Sequence, residues 1–350
     1  MATENGVTQN LMVMQSLFEE LRKLVAIAAI AILMAGCTSA FLPSLESNPW
    51  QVVNLDSDAT LADIDFTGDR DHGWLVGNRN TLLETTDGGQ TWAAKSLNLE
   101  KSYTLTSVSF AEDEGWVAGQ PSLLLHTQDG GNTWEQVALS EKLPGAPLKI
   151  TALGPDAAEM VTDIGAIYAT QNGGANWKAM VEGAIGVIRN LNRFEDGRYI
   201  AVSSRGNFYS TWRPGQRTWQ PHNRESSRRL QNIGFSADGD RFWLIARGGQ
   251  LQFGNDAEAE EWEEPINPEF STSWGLLDVA YQSEDEVWVS GGGGNMLYSP
   301  DGGQTWLKDR DLDNVPSNLY RIVFTDTDQG FVLGQQGVLL RYVGKGSAAA

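Results

Sequence analysis

The segment Thr85–Trp92, "TTDGGQTW", returns as "TQDGGNTW" at 127–134 and "SPDGGQTW" at 299–306, with a weaker copy, "TQNGGANW", at 170–177. Each copy ends in tryptophan. Trp92, Trp134, Trp177, Trp219, Trp262 and Trp306 lie 42, 43, 42, 43 and 44 residues apart, and a step of 42 back from Trp92 lands on Trp50. A period of about 40–45 residues is that of four-stranded propeller blades. The second period reads as "LTSVSF", "GWVAG", "SLLLHT" and "WEQVAL", short apolar runs separated by Gly, Asp and Asn turns. A helical solenoid would show apolar spacing of three and four over longer stretches, and none occurs after Pro49. The expected fold is all-β, a seven-bladed propeller of four-stranded blades. The last period holds only three strands, "NLYRIVF", "GFVLG" and "VLLRYVG", while "WQVVNL" at 50–55 stands alone. This N-terminal strand is predicted to complete the last blade, closing the ring and removing an open sheet edge.

The repeated segment is the Asp box, S/T-x-D-x-G-x-T-W, expected in the turn between the third and fourth strands. Aspartate there accepts turn N–H groups and glycine takes positive φ. Asp87, Asp129 and Asp301 are therefore assigned as structural staples in preference to calcium ligands or catalytic acids. Blade 3 has Asn172 in place of Asp, and blades 4 and 5 ("WRPGQRTW", "NDAEAEEW") lose the motif.

At the amino terminus, Arg22 and Lys23 precede the apolar run "LVAIAAIAILM" and then "AGC". That run suits a signal peptide and is too short for a permanent membrane span. The small pair before Cys37 suits lipoprotein processing, with Cys37 lipidated as the mature terminus; Met34 replaces the favoured leucine. An ordinary cleavage near Ala40 is the alternative, and translation starting at Met12 or Met14 would shorten the acidic leader. The organisation expected is a leader over 1–36, a linker from lipidated Cys37 over 37–47, the propeller over 48–345, and a tail over 346–350.

Composition narrows the function. A net charge of −20 argues against a nucleic-acid binder. One cysteine leaves no internal disulfide, and His72, His126 and His222 fall in different blades without ligand spacing, so no metal or cofactor is expected. No nucleophile elbow or phosphate loop is present, and "GGGG" at 291–294 reads as turn flexibility or a close approach.

Against this acidic background, residues 189–247 carry 11 Arg, no Lys and five carboxylates. Exclusive use of arginine points to bidentate or stacked recognition. In a meander blade, the turns between strands one and two and between three and four share the lower face. Those between two and three share the upper face with the crossovers. Arg193, Arg198, Arg213 and Arg217 are placed low by this rule. Arg189, Arg205, Arg224, Arg228, Arg229 and Arg247 are placed high, as a patch for an acidic partner, a peptide carboxyl terminus being a natural one. The competing assignment is pairing of each arginine with a nearby carboxylate. A sialidase-like glycosidase is the enzymatic alternative, with Tyr199, Tyr209 and Glu225 as candidates, although the R-I-P element is missing and the blade number differs.

The seven Trp-marked periods, the three Asp boxes, the lipoprotein leader and the arginine-rich middle together resemble the photosystem II stability and assembly factor family of cyanobacteria and chloroplasts. The resemblance implies a non-enzymatic, monomeric chaperone, exported and lipid-anchored on the luminal side of the thylakoid membrane. It would bind the newly made precursor of a photosystem II reaction-centre subunit and early assembly intermediates, with an arginine-bearing face contributing. A lipoprotein scaffold for another envelope complex is the plainer alternative.

Overall fold

The computed structural model describes residues 42–224, 226–256, 261–268 and 275–344. The leader, Cys37, Glu225 and the tail at 346–350 lie outside the described residues. Seven four-stranded antiparallel sheets follow one another along the chain, each a simple meander except the last. There, Trp50–Val53 pairs with Leu339–Tyr342 as the outer strand beside Gln329–Gly334 and Leu319–Asp326. The ring closes with the amino-terminal strand in the seventh blade, as the repeat arithmetic requires. Part of the expected linker is docked: Leu45 N donates to the Lys308 carbonyl and Lys308 N to that of Pro43, both at 2.9 Å, along the outer strand of blade 6.

The interiors of the second strands are buried, Trp74, Trp116 and Trp288 among them at 0% exposure, so each blade is packed on both sides. The repeat tryptophans fill the seams. Trp134 stands edge-on to Trp74 of the preceding blade at 5.6 Å between ring centres, Trp177 to Trp116 at 6.0 Å, Trp262 to Tyr209 at 5.8 Å and Trp50 to Trp288 at 5.3 Å. Such pairs add about 0.5–1.5 kcal/mol beyond the area they bury. The period is thus a packing rule, one large ring per seam.

All seven first strands carry a bulge near their upper end, between Leu61 and Asp63, Leu105 and Ser107, Pro147 and Lys149, Ile188 and Asn190, Leu230 and Asn232, Leu276 and Asp278, and Leu319 and Arg321. The residue after each bulge is polar. These side chains form an inner belt. Asp63 accepts from Ser107 Oγ at 2.8 Å and Lys149 Nζ at 3.1 Å. Asp278 accepts from Asn232 at 2.8 Å and from the Ile322 amide at 2.8 Å. Across the seam of blades 3 and 4 a different bridge appears: Glu159 Oε1 takes both Arg193 Nε at 3.0 Å and the Tyr199 hydroxyl at 2.6 Å.

The glycine run at 291–294 is a close approach. Gly292–Gly294 forms a 3₁₀ turn between strands two and three of blade 6, and a Cβ on Gly294 (φ +78°) would overlap the Leu312 carbonyl oxygen.

Candidate partner-binding face

The Asp boxes hold turns in the described structure. In blade 2, Asp129 Oδ1 accepts from Thr127 Oγ1 at 2.7 Å and the Thr133 amide at 2.9 Å, while Oδ2 takes the Thr133 hydroxyl at 2.7 Å. Asp87 and Asp301 repeat the pattern. Partial burial works to raise the Asp129 pKa, but the hydrogen bonds from Thr133 and Thr127 outweigh it and hold it at about 2. Asn172 of blade 3 keeps half the pattern, accepting from Thr170 Oγ1 and the Asn176 amide at 3.0 Å each. Among the described residues no group of three His, Cys, Asp or Glu side chains is arranged to hold a metal ion.

The six arginines assigned high lie on adjoining segments of blades 4 and 5. Arg189, on the first strand of blade 4, donates to the Ser204 carbonyl at 2.9 Å, next to Arg205 in the turn between strands two and three. Arg229 lies on the crossover against Gly206, and its carbonyl accepts the Arg247 amide at 2.9 Å. Arg228 Nη1 reaches the Arg247 carbonyl at 3.5 Å, and Arg224 Nη1 the Arg228 carbonyl at 3.1 Å. One chain of contacts therefore joins all six. Five are exposed and Arg224 is half-buried.

Their charge partners separate them from four of the other five arginines in residues 189–247. Arg193 holds Glu159, Arg198 holds Asp196 at 2.6 Å, Arg217 holds Glu182, and Arg241 holds Glu263 at 2.6 Å. The pairing alternative is thus correct for these four. None of the upper six forms an ion pair among the described residues; their protein contacts are carbonyl and amide oxygens. Burial lowers the Arg224 pKa from its ordinary value, as expected for a cation short of compensating charge.

Of the described glycosidase candidates, Tyr209 lies within electrostatic reach of Arg224, whereas Tyr199 bonds to Glu159 at the seam of blades 3 and 4. Tyr199 is buried, and burial together with Glu159 pushes its hydroxyl well above its ordinary pKa, the reverse of an activated nucleophile. Tyr209 is also buried, stacked on His222 with ring centres 4.9 Å apart. Glu225 lies outside the described residues. Sequence inspection located the arginines through turn order; it missed Gln252 on the third strand of blade 5, whose Oε1 accepts from Arg224 at 3.4 Å, an isolated amide with no motif around it.

Fold and face define an Asp-box propeller with a localised arginine surface that forms no ion pair among the described residues. A sequence model described as photosynthesis system II assembly factor YCF48 matches residues 42–343, and the chain belongs to that family. Similar curated relatives include the photosystem II assembly lipoprotein Ycf48 of Picosynechococcus sp., 56% identical over 93% of this chain and 96% of the relative. That of Trichormus variabilis is 58% identical over 92% and 94%. A solved structure of YCF48 bound to D1 peptide is 52% identical with a TM-score of 0.84, covering 87% of this chain and all of that one. YCF48 from Cyanidioschyzon merolae gives 42% identity and a TM-score of 0.78, covering 84% and 98%.

Proposed function

We propose that this chain is a non-enzymatic photosystem II assembly factor whose arginine face binds a newly made reaction-centre precursor, D1, early in assembly. The observation that carries the reading is the set of six contiguous arginines without carboxylate partners among the described residues. A localised positive face on an acidic molecule orients an acidic partner and speeds encounter. The similar solved structure of YCF48 bound to D1 peptide supports the choice of partner. Export and lipid attachment at Cys37, with the propeller held on the luminal side of the thylakoid membrane, complete the reading; relatives named as lipoproteins support the anchor. A pull-down from solubilised photosynthetic membranes tests it, comparing the wild type with a variant carrying Arg205→Glu, Arg228→Glu and Arg229→Glu. Wild type should recover D1 and early intermediates and the variant should lose them. Equal recovery by both proteins rejects the face as the binding surface.

A further inference from the structure

An extended segment already lies on the outer edge of one blade. Ser44 forms a parallel bridge with Lys308 of blade 6, whose amide donates to the Pro43 carbonyl and whose carbonyl accepts from Leu45 N, both at 2.9 Å. Leu45 packs on the apolar cluster that holds Trp288 and Trp50. Blade 3 repeats this register. Lys308 pairs with Leu297 and is followed by a bond from Asp309 N to the Met296 carbonyl; Ala179 pairs with Tyr168 and is followed by a bond from Met180 N to the Ile167 carbonyl. Ala179 is exposed, and Lys178–Ala179 is the edge strand of its sheet. Such an edge is a template for another strand. Side chains alternate across a strand, so a residue added opposite Ala179 points to the face that carries Tyr168 and Trp177.

That face opens into a pocket of about 390 Å³, walled by Leu139, Leu143, Met160, Tyr168, Ala175 and Trp177. Two departures in blade 3 thin the packing around it. Gln90, Asn132 and Gln304 bond back to the carbonyl of the box aspartate in their blades, at 2.9, 2.7 and 3.2 Å, whereas blade 3 has Ala175 at that position. Phe66, Phe110 and Phe324, each shortly after the bulge of its first strand, stand against Trp92, Trp134 and Trp50 of the same blade. Blade 3 has Ala152 at that register, and Trp116 is the one ring that Trp177 meets among the described residues. Lys142 is the only charged side chain lining the pocket among the described residues, and neither it nor Lys178 forms an ion pair there.

We propose that the outer edge of blade 3 receives an extended acidic segment of a partner protein, laid along Lys178–Ala179 as Pro43–Leu45 lies on blade 6, with an aromatic side chain opposite Ala179 entering the pocket. In strand addition the backbone bonds supply adhesion and the side-chain pocket supplies choice. The incoming ring would give Trp177 the aromatic neighbour that Phe110 gives Trp134. Lys142 on the pocket side and Lys178 on the strand favour carboxylates flanking the ring. This surface lies at the flank of blades 2 and 3 and does not depend on the arginine face of blades 4 and 5.

The test is calorimetric titration of the full chain with a synthetic peptide blocked at both ends, acetyl-Asp-Asp-Phe-Asp-Asp-amide, and with the same peptide carrying alanine for phenylalanine. The phenylalanine peptide should bind about ten-fold or more tightly, a difference that one buried ring readily supplies. Ala175→Gln installs the residue that blades 1 and 6 already use in their boxes, so it should leave the melting temperature unchanged while narrowing the pocket and weakening binding about ten-fold. Lys142→Glu should weaken it as well. The variant with Arg205→Glu, Arg228→Glu and Arg229→Glu should bind the peptide as the wild type does. Equal binding of the two peptides, or no saturable binding of either, overturns the proposal. So does binding that survives Ala175→Gln and is lost in the arginine variant, which would assign the peptide to the arginine face.

Discussion

Arg321 of blade 7 reaches Asp63 of blade 1, Nη2 to Oδ1 at 3.0 Å, across the seam where the ring closes. Asp63 is 2% exposed and also holds Lys149 from blade 3 and Ser107 from blade 2, so one carboxylate ties together four blades. Burial works to raise its pKa, but Arg321 and Lys149 outweigh that and hold it below the ordinary carboxylate range. Asp63→Ala leaves two cations without their anion and should lower unfolding stability by about 3–5 kcal/mol. Urea denaturation measures this; a change under about 1 kcal/mol would show that the belt is decorative.

The same belt predicts an inverted pH response. Burial raises both Asp65 and Asp278 to about 6, so the folded protein keeps protons there that the unfolded chain has released. Between the ordinary carboxylate value and about 6 the native state is the better proton binder, and stability from these groups falls as pH rises through that window. Asp278→Asn should flatten the decline between pH 4.5 and 7 by an amount on the order of 2 kcal/mol. Melting curves over that range decide it; an unchanged slope refutes the assignment. Asp129 acts oppositely, its contribution being present above the ordinary value and lost as pH falls toward about 2.

Asp129→Asn keeps the bonds to Oδ1, as Asn172 does in blade 3, but loses the Thr133 hydroxyl's bond to Oδ2 and the charge, and should cost less than full truncation. Asp129→Ala removes three bonds and should cost about 1–2 kcal/mol. If the Asp box instead held calcium, chelation would lower the melting temperature and both substitutions would be equally damaging. Differential scanning calorimetry with and without EDTA distinguishes the two.

Trp50→Ala empties the seam between blades 6 and 7, where the ring meets Trp288, Phe324 and Tyr342. A loss of about 3–5 kcal/mol is expected from the truncation. Limited proteolysis should then cut first near Pro49. Initial cleavage elsewhere would mean that the amino-terminal strand holds without its tryptophan.

What could be read from sequence follows from what each feature asks of residue type. A seam needs one large ring per blade, so Trp50, Trp134 and Trp262 repeat visibly and reveal both blade number and closure. Turn order then fixes the face on which Arg205 and Arg247 lie, since a meander reverses at every turn. The inner belt asks only for a polar group after a bulge. Asp63, Ser107, Lys149, Asn232 and Arg321 meet that demand with different chemistry, which leaves no repeated letter to find.

The pairing of Trp50–Val53 with Leu339–Tyr342 orders events during synthesis. Each of the first six blades can assemble from consecutive residues as they emerge, whereas the strand made earliest must wait for almost the latest. Until then two raw sheet edges stand side by side, able to recruit a neighbouring chain. A prematurely ended polypeptide would remain in that sticky condition, so the finished ring reports that translation reached the far end.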